Sequence, residues 1–591
     1  MRICDLTMKQ ETEKSNNSIV IKLLCDLSRI HAFRYLDLKI FRSALFRMAQ
    51  VKAKKELVIE VQPVLVKDIR VPTLAAPSLV DDKFRRLNNP EGERHYVTTA
   101  IHYTNGWPHI GHAYENSITD VQARYHRLAG RNVMFMTGTD EHGMKIAQSV
   151  VNAGMEPIDL CTKYTNGFKA LNERLAISSD SYIRTTDDFH KKTAQKLWEK
   201  CAKDIYLSQY EGYYLVREER YVTEREAKEW GFKDPVSGAE LKKSKEESYF
   251  FRMSKYQQAV IDHIKANPDF LVPEQYKTEI LGRLEAEPLE DLCVSRTSFS
   301  WGIPVPNHPE HVMYVWYDAL TNYISGVHLL DEGSDGIKKF WPANAHVIGK
   351  DIVWFHAVIW PCMLMSANIP LPKRIAVHGF ILDAEGKKMS KSLGNVVDPH
   401  DLLDKYPADS VRWYMCSSVY GLDFKFSLEQ LEDYHRADLG NNLGNLVSRA
   451  VALSGGAVPD VPSYETYEKP FDVVSTMAAL DSFFLSHQIG EAANLIRQRT
   501  TDTNKWLADS APWAVKDDAV KKATLIRIAL EAVYILAHMW APFIPIAAGV
   551  IFEKVGQDPM HLSKLKPGFN NLGNGAPVST NKSILFDPLR K

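Results

Sequence analysis

Residues 95–103 read HYVTTAIHY, a run of β-branched and aromatic residues that predicts a strand. Asn105-Gly106 and Pro108 break it. From His112 onward Ile118, Val121, Tyr125 and Leu128 return at helical spacing until Gly130. Strand-like and helical stretches keep alternating to about residue 204, the pattern of a parallel sheet with helical crossovers. Residues 205–310 change character, with many charges and aromatics, and alternation resumes over 311–380, where His378-Gly379-Phe380 closes a strand. A loop and short helical linker fill 381–440. Beyond Asn441 the chain turns helical: Leu443, Leu446 and Val447 share one face, and Leu525, Ile528, Ala532, Ile535 and Met539 form a second stripe. The tail, 567–591, is rich in Asn, Gly and Ser and is expected to be loose.

Two short segments carry the candidate chemistry. His109-Ile110-Gly111-His112 lies where the first strand passes into a helix, a place where free N–H groups and the helix dipole favour anions. Two imidazoles at i and i+3 can face the same phosphates, and Gly111 lets a flat ligand approach the backbone. Far downstream, Lys388-Met389-Ser390-Lys391-Ser392 sits between Gly386 and Gly394 as a turn with two ammonium groups suited to a β,γ-phosphate pair. Each alone is an ordinary helix start or solvated basic loop. Together they describe a site that grips a nucleoside triphosphate from two sides.

These motifs resemble the signature of class I aminoacyl-tRNA synthetases. Met136–Gly143 (MTGTDEHG), Val315–Ala319 (VWYDA) with Tyr323, and Ile348–His356 (IGKDIVWFH) with Trp360 narrow the resemblance to the methionyl-tRNA synthetases, over about 95–554. It implies an α/β fold: a Rossmann-like catalytic domain (94–204 and 311–380) interrupted by a connective insertion (205–310). The loop and linker (381–440) and an α-helical anticodon-binding domain (441–566) would follow. It implies ATP-dependent activation of L-methionine to methionyl-adenylate and transfer to the 3′ end of tRNA(Met), with Mg²⁺ arriving on ATP. The carboxylate of the amino acid attacks phosphorus itself, so no enzyme nucleophile is expected, and catalysis reduces to positioning and charge stabilisation.

By the same resemblance His109, Gly111, His112, Gly349, Asp351 and Lys391 would hold ATP. Lys388 and Arg296 would join His109, His112, Asp351 and Lys391 as catalytic groups. Asp140 would take the substrate ammonium, and Ile101, Tyr103, Trp316, Ala319, Tyr323, Phe355, His356 and Trp360 would line the methionine pocket. A thioether accepts hydrogen bonds poorly but pairs well with aromatic edges, so such a pocket selects by shape. Asn445 and Arg449, at i and i+4, would read anticodon bases, with Trp513 as a stacking platform. Read singly, the tryptophans and tyrosines are ordinary core aromatics; only their joint match points elsewhere.

The rivals are other class I synthetases, a tRNA-independent nucleotidylyltransferase and a non-catalytic RNA-binding paralogue. Residues 205–310 leave little room for the editing domain of the isoleucine, leucine or valine enzymes. A nucleotidylyltransferase has no use for Asn445, Arg449 and Trp513.

Composition changes this picture in three places. The chain of 591 residues carries Lys+Arg 72 against Asp+Glu 73, so RNA attraction must come from local patches. Its seven cysteines are widely spaced and none forms C-x-x-C, so no zinc site is expected, unlike family members with a zinc knuckle in the insertion. Ile528–Phe552 is apolar but holds Glu531, His538, Pro542 and Pro545, which predicts a buried helix and no membrane association. No appended dimerisation domain is recognisable, and a monomer is expected.

Residues 1–93 precede the resemblance. Within them Ser28–Lys55 holds eight Lys or Arg and one acid, Asp37, between apolar residues, the composition of an organelle transit peptide. Import into the mitochondrion is expected, with plastid or cytoplasm as alternatives; Asp5, Glu11 and Glu13 fit less well, and Met48 is a candidate internal start.

Overall fold

The computed structural model describes residues 82–591 apart from 216–219, 223, 236–237, 239, 390–394, 463–464, 582 and 590–591. The basic stretch Ser28–Lys55, Met48 and Lys391 lie outside the described residues.

The sheet is built from β1 (Arg94–Thr99), β2 (His102–Tyr103), β3 (Asn132–Asp140), β4 (Ser181–Arg184), β8 (Leu271–Val272), β13 (Ala345–Gly349) and β14 (Ile375–His378). Its order is β2-β3-β1-β13-β14-β8, with β4 also on β3, and every pairing is parallel. The expected strand over 95–103 is thus two strands separated at Ala100-Ile101, where the register against β3 slips by one residue: Thr98 pairs Met136 and His102 pairs Thr139, both on the side of β3 opposite β4. β1 from the first half lies beside β13 from the second. Ligands of such sheets bind at the carboxyl ends of strands where the order reverses, and here that place is the β1/β13 junction.

The stretch read as an insertion forms its own antiparallel sheet from β5 (Ile205–Leu215), β6 (Arg220–Val222), β7 (Lys242–Phe251) and β9 (Leu292–Cys293). It is not wholly separate: β8, inside 205–310, joins the edge of the catalytic sheet beside β14. A two-residue strand has too little pattern to be seen in sequence. A smaller antiparallel sheet of β10 (Ser295–Arg296), β11 (Pro304–Val305) and β12 (His308–Met313) leads back into the catalytic half.

Helix α1 (Ile110–Leu128) crosses from the cavity to the far end of β1 and is buried on nearly every side. It can hold charge there because Asp120 is matched: Arg124 Nε lies 2.7 Å and Arg412 Nη2 2.8 Å from its carboxylate. Burial alone would raise the Asp120 carboxyl, but the two guanidiniums and the Ser178 hydrogen bonds outweigh it and hold it down to about 2. Arg412 also donates to the carbonyls of Pro542 and Phe543, and so ties α1 to the C-terminal helices.

Those helices are Asn445–Leu453, Val473–Leu485, Ile489–Ser510, Ala519–Trp540 and Pro545–Val555. Ala519–Trp540 is long and apolar enough to cross a membrane, but it is buried among the other helices, as a core helix is. The tail expected to be loose is packed. Phe569, Leu572, Val578 and Phe586 are buried. The Glu531 carboxylate accepts the backbone N–H groups of Asn571 and Leu572 at 2.8 Å each. The Lys554 ammonium donates to the carbonyls of Asn581 (3.1 Å) and Ser583 (3.0 Å). Two buried charges thus satisfy a backbone that has no regular structure of its own.

Candidate active site

A cavity of about 350 Å³ opens at the carboxyl ends of β1 and β13. At one end, His109 caps α1 with extended backbone (φ −131, ψ 173). Its Nδ1 accepts the Gly111 N–H at 3.1 Å, and His112 Nδ1 accepts the His109 N–H at 3.1 Å. The two rings stack 3.7 Å apart at 22°. With both Nδ1 atoms accepting, each neutral ring carries its proton on Nε2 as a donor. A Cβ at Gly111 would stand 3.0 Å from His109 Cε1 and press on the ring that makes this cap.

One turn further, Glu115 is buried and lines the cavity. His378 Nε2 lies 3.0 Å from its Oε2, and His102 Nδ1 lies 4.0 Å from Oε1. Opposite, the Asp351 carboxylate meets Lys388 at 3.3 Å, both side chains more than half exposed. Lys388 also sits 4.0 Å over the Phe380 ring. A Cβ on Gly349 would come 2.9 Å from Asp351 Oδ1, so that carboxylate would have to shift.

The other end is aromatic. It is walled by the helix Val315–Ser325 and by a single π-helical turn, Phe355–Ile359, that precedes the helix Trp360–Ala367. Trp316 stacks on Phe355 at 3.8 Å and 10°. Tyr323 stacks on His346 at 3.9 Å and lies 2.7 Å from His356 Nε2. His356 Nδ1 is 2.9 Å from the Ile352 carbonyl, so it carries the proton and Nε2 accepts the Tyr323 hydroxyl. Burial pushes the His356 pKa down to about 4, which keeps the ring neutral.

The structure brings Ile101, Tyr103, His109, Gly111, His112, Asp140, Trp316, Ala319, Tyr323, Gly349, Asp351, His356 and Lys388 to this one cavity. Phe355 and Trp360 do not line it: Phe355 backs Trp316, and Trp360 is fully buried 6.1 Å from Tyr323. Arg296 is not at the cavity. It is buried with Nη1 2.7 Å from the Ser295 carbonyl and its guanidinium 4.7 Å from the Tyr314 ring. Sequence reading missed Glu115, His102, Asn322 and Met389, which also line the cavity. Glu115 had a signal, being at i+3 from His112 on the same helix face.

A second candidate surface lies on the C-terminal helices. Asn445 is exposed where the π-helical stretch His435–Gly444 gives way to the helix Asn445–Leu453. The Arg449 guanidinium lies 5.0 Å from the Trp513 ring, which is 47% exposed. Ala511, at φ 38, ends the helix Ile489–Ser510 in a left-handed turn that throws Trp513 outward. Among the described residues no group of three His, Cys, Asp or Glu could hold a metal ion.

Comparison with known proteins gives the same outline. A family profile for class I tRNA synthetases (M) matches residues 95–230 and 232–451, and one for the anticodon-binding domain of methionyl tRNA ligase matches 458–588, which takes in the tail. The methionine–tRNA ligase of Rhizobium meliloti is 40% identical over 511 residues, 83% of this chain and 97% of the relative. That of Listeria monocytogenes is 38% identical, covering 84% of this chain and 78% of its own. A Mycobacterium tuberculosis methionyl-tRNA synthetase structure in complex with methionyl-adenylate aligns at a TM-score of 0.77 and 37% identity, covering 84% of this chain and 99% of that one. The free-state structure aligns at 0.72 and 34%, covering 85% and 99%.

Proposed function

The chain belongs to the class I methionine–tRNA ligases, and from that premise we propose that the cavity joins ATP to methionine with its histidine-capped end on the phosphates and its aromatic end on the side chain. The observation that carries this reading is the lining itself: Nε2–H donors of a helix cap and an aromatic wall share one cavity. Methionine enters with its ammonium on Asp140 and its thioether between Trp316, Ala319 and Tyr323. Its carboxylate attacks the α-phosphorus of ATP and pyrophosphate leaves. The Nε2–H groups of His109 and His112, with Lys388 and Lys391, stabilise charge as it moves onto pyrophosphate, and Asp351 and Gly349 hold the nucleoside. Mg²⁺ accompanies the phosphates. A hydroxyl at the 3′ end of tRNA(Met) then attacks the adenylate carbonyl and AMP leaves. Arg296 and Trp360 act from outside the cavity, by holding the elements that form it.

Asn445, Arg449 and Trp513 meet the anticodon, two by hydrogen bonds and one by stacking. The enzyme acts as a monomer. Its service in organellar translation, mitochondrial before plastid, rests on the basic, apolar composition of Ser28–Lys55.

ATP–pyrophosphate exchange across the proteinogenic amino acids tests the substrate. Methionine-dependent exchange is expected, and exchange with isoleucine alone refutes the reading. Fractionation of cells carrying the tagged full-length chain tests the compartment, and retention in the cytosol overturns import.

A further inference from the structure

Behind the aromatic end lies a buried cluster that the chemistry above does not use. Asp318 is 1% exposed, His142 3% and His190 0%. His142 Nδ1 lies 2.6 Å from Asp318 Oδ2, and His190 Nε2 lies 2.7 Å from Oδ1. The three come from separate segments. His142 is two residues past Asp140, at the end of β3. Asp318 sits between Trp316 and Ala319 on the helix Val315–Ser325, and His190 is on the helix Asp188–Cys201. The His142 carbonyl accepts the Tyr103 hydroxyl at 2.8 Å, so the same segment holds another cavity-lining ring.

We propose that Asp318, clasped by His142 and His190, is a positioning group that sets the distance between the ammonium-binding wall and the aromatic wall, and thereby how tightly and how selectively methionine is held. None of the three lines the cavity, so the effect passes through Asp140, Tyr103 and the helix that carries Trp316 and Ala319. Apolar packing is non-directional and does not fix the register of three segments, whereas buried charge-assisted hydrogen bonds do. A carboxylate suits the place because both its oxygens must accept. The ATP end is anchored elsewhere, by the cap of α1 and by Gly349–Asp351.

This inference rests on reading the aromatic end as the methionine pocket, and the experiment separates the two. With the purified full-length protein, exchange kinetics give KM for methionine and for ATP, alongside Tm. Asp318→Asn is expected to raise the methionine KM by about ten-fold or more, since small misplacements of a positioned group cost up to about a hundred-fold. It should leave the ATP KM within about two-fold, because only methionine binding is altered. It should also narrow discrimination against ethionine.

His142→Asn, which returns an N–H near the Nδ1 position, should stay within about three-fold of the native KM, while His142→Leu behaves like Asp318→Asn. An unchanged methionine KM in Asp318→Asn, equal movement of both KM values, or identical behaviour of His142→Asn and His142→Leu overturns the proposal. If Asp318→Asn does not fold, the His142 pair decides alone. Trp316→Ala is the control on the pocket. A raised methionine KM there with an unchanged one in Asp318→Asn sinks only the clasp. An unchanged value in Trp316→Ala sinks the pocket reading and the clasp with it.

Discussion

The two ends of the cavity are built on opposite principles. At the aromatic end the groups that shape the wall are already held by neighbours: Tyr323 on His356, His356 on the Ile352 carbonyl, Trp316 stacked flat on Phe355. At the opposite end the Asp351–Lys388 pair is more than half exposed and meets water. The difference teaches that selection of a side chain without charge needs a shape fixed in advance. Gripping a polyanion needs charges free to close on it. The histidine cap belongs to the rigid part of the second end, because α1 fixes both rings before any ligand arrives.

The largest expected effect breaks the charged end alone. His112→Ala removes an Nε2–H donor and the cap of the His109 N–H, and exchange should slow by about 10²–10³-fold. The methionine KM should move far less than the ATP KM, and an equal rise in both would erase the distinction between the ends.

Next comes the pH response of the aromatic end. The folded chain resists protonation of His356 until about 4, whereas the unfolded chain takes up that proton near the usual 6.5. Stability contributed by His356 is therefore full above that value and falls as pH drops through the window, by roughly 3 kcal/mol in all. His356→Gln should remove that share of the loss between pH 7 and pH 4.5 in denaturant titrations, the part due to the other buried histidines remaining. An unchanged slope would mean that the ring is not held neutral.

Tyr323→Phe strips the hydroxyl that His356 accepts and leaves a buried nitrogen without its partner. A loss of about 1–2 kcal/mol, roughly ten-fold in kcat/KM for methionine, is expected. No comparable loss should appear for ATP. Smallest is the stability change in Lys388→Gln. An exposed ion pair contributes less than about 1 kcal/mol, so Tm should barely move while exchange slows. A large fall in Tm would show that this end is as rigid as the other.

Legibility in the sequence divides along the same line. His109, His112, Lys388 and the MTGTDEHG and VWYDA strings were visible because each is local: a strand end, a helix start, a glycine-flanked turn. The resemblance puts Arg296 among the catalytic groups, yet its guanidinium lies against the Tyr314 ring and donates to the Ser295 carbonyl. The tail was expected loose from its Asn and Gly content, because its anchors, Glu531 and Lys554, lie on other helices. β8 was missed since two residues carry no periodicity, and its pairing with β14 exists only once the sheet is assembled.

By itself, then, the order of residues determined the alternation of strand and helix, the helix cap at His109 and the inventory of aromatic and basic groups. These rest on short-range sterics and on hydrogen bonds within a few residues. Tertiary packing alone decided that Glu115, His378 and Lys388 face one cavity, that Phe355 backs Trp316, and that Asp318 reaches two histidines more than a hundred residues away. Such contacts depend on which buried surfaces meet, and no local pattern encodes the partner.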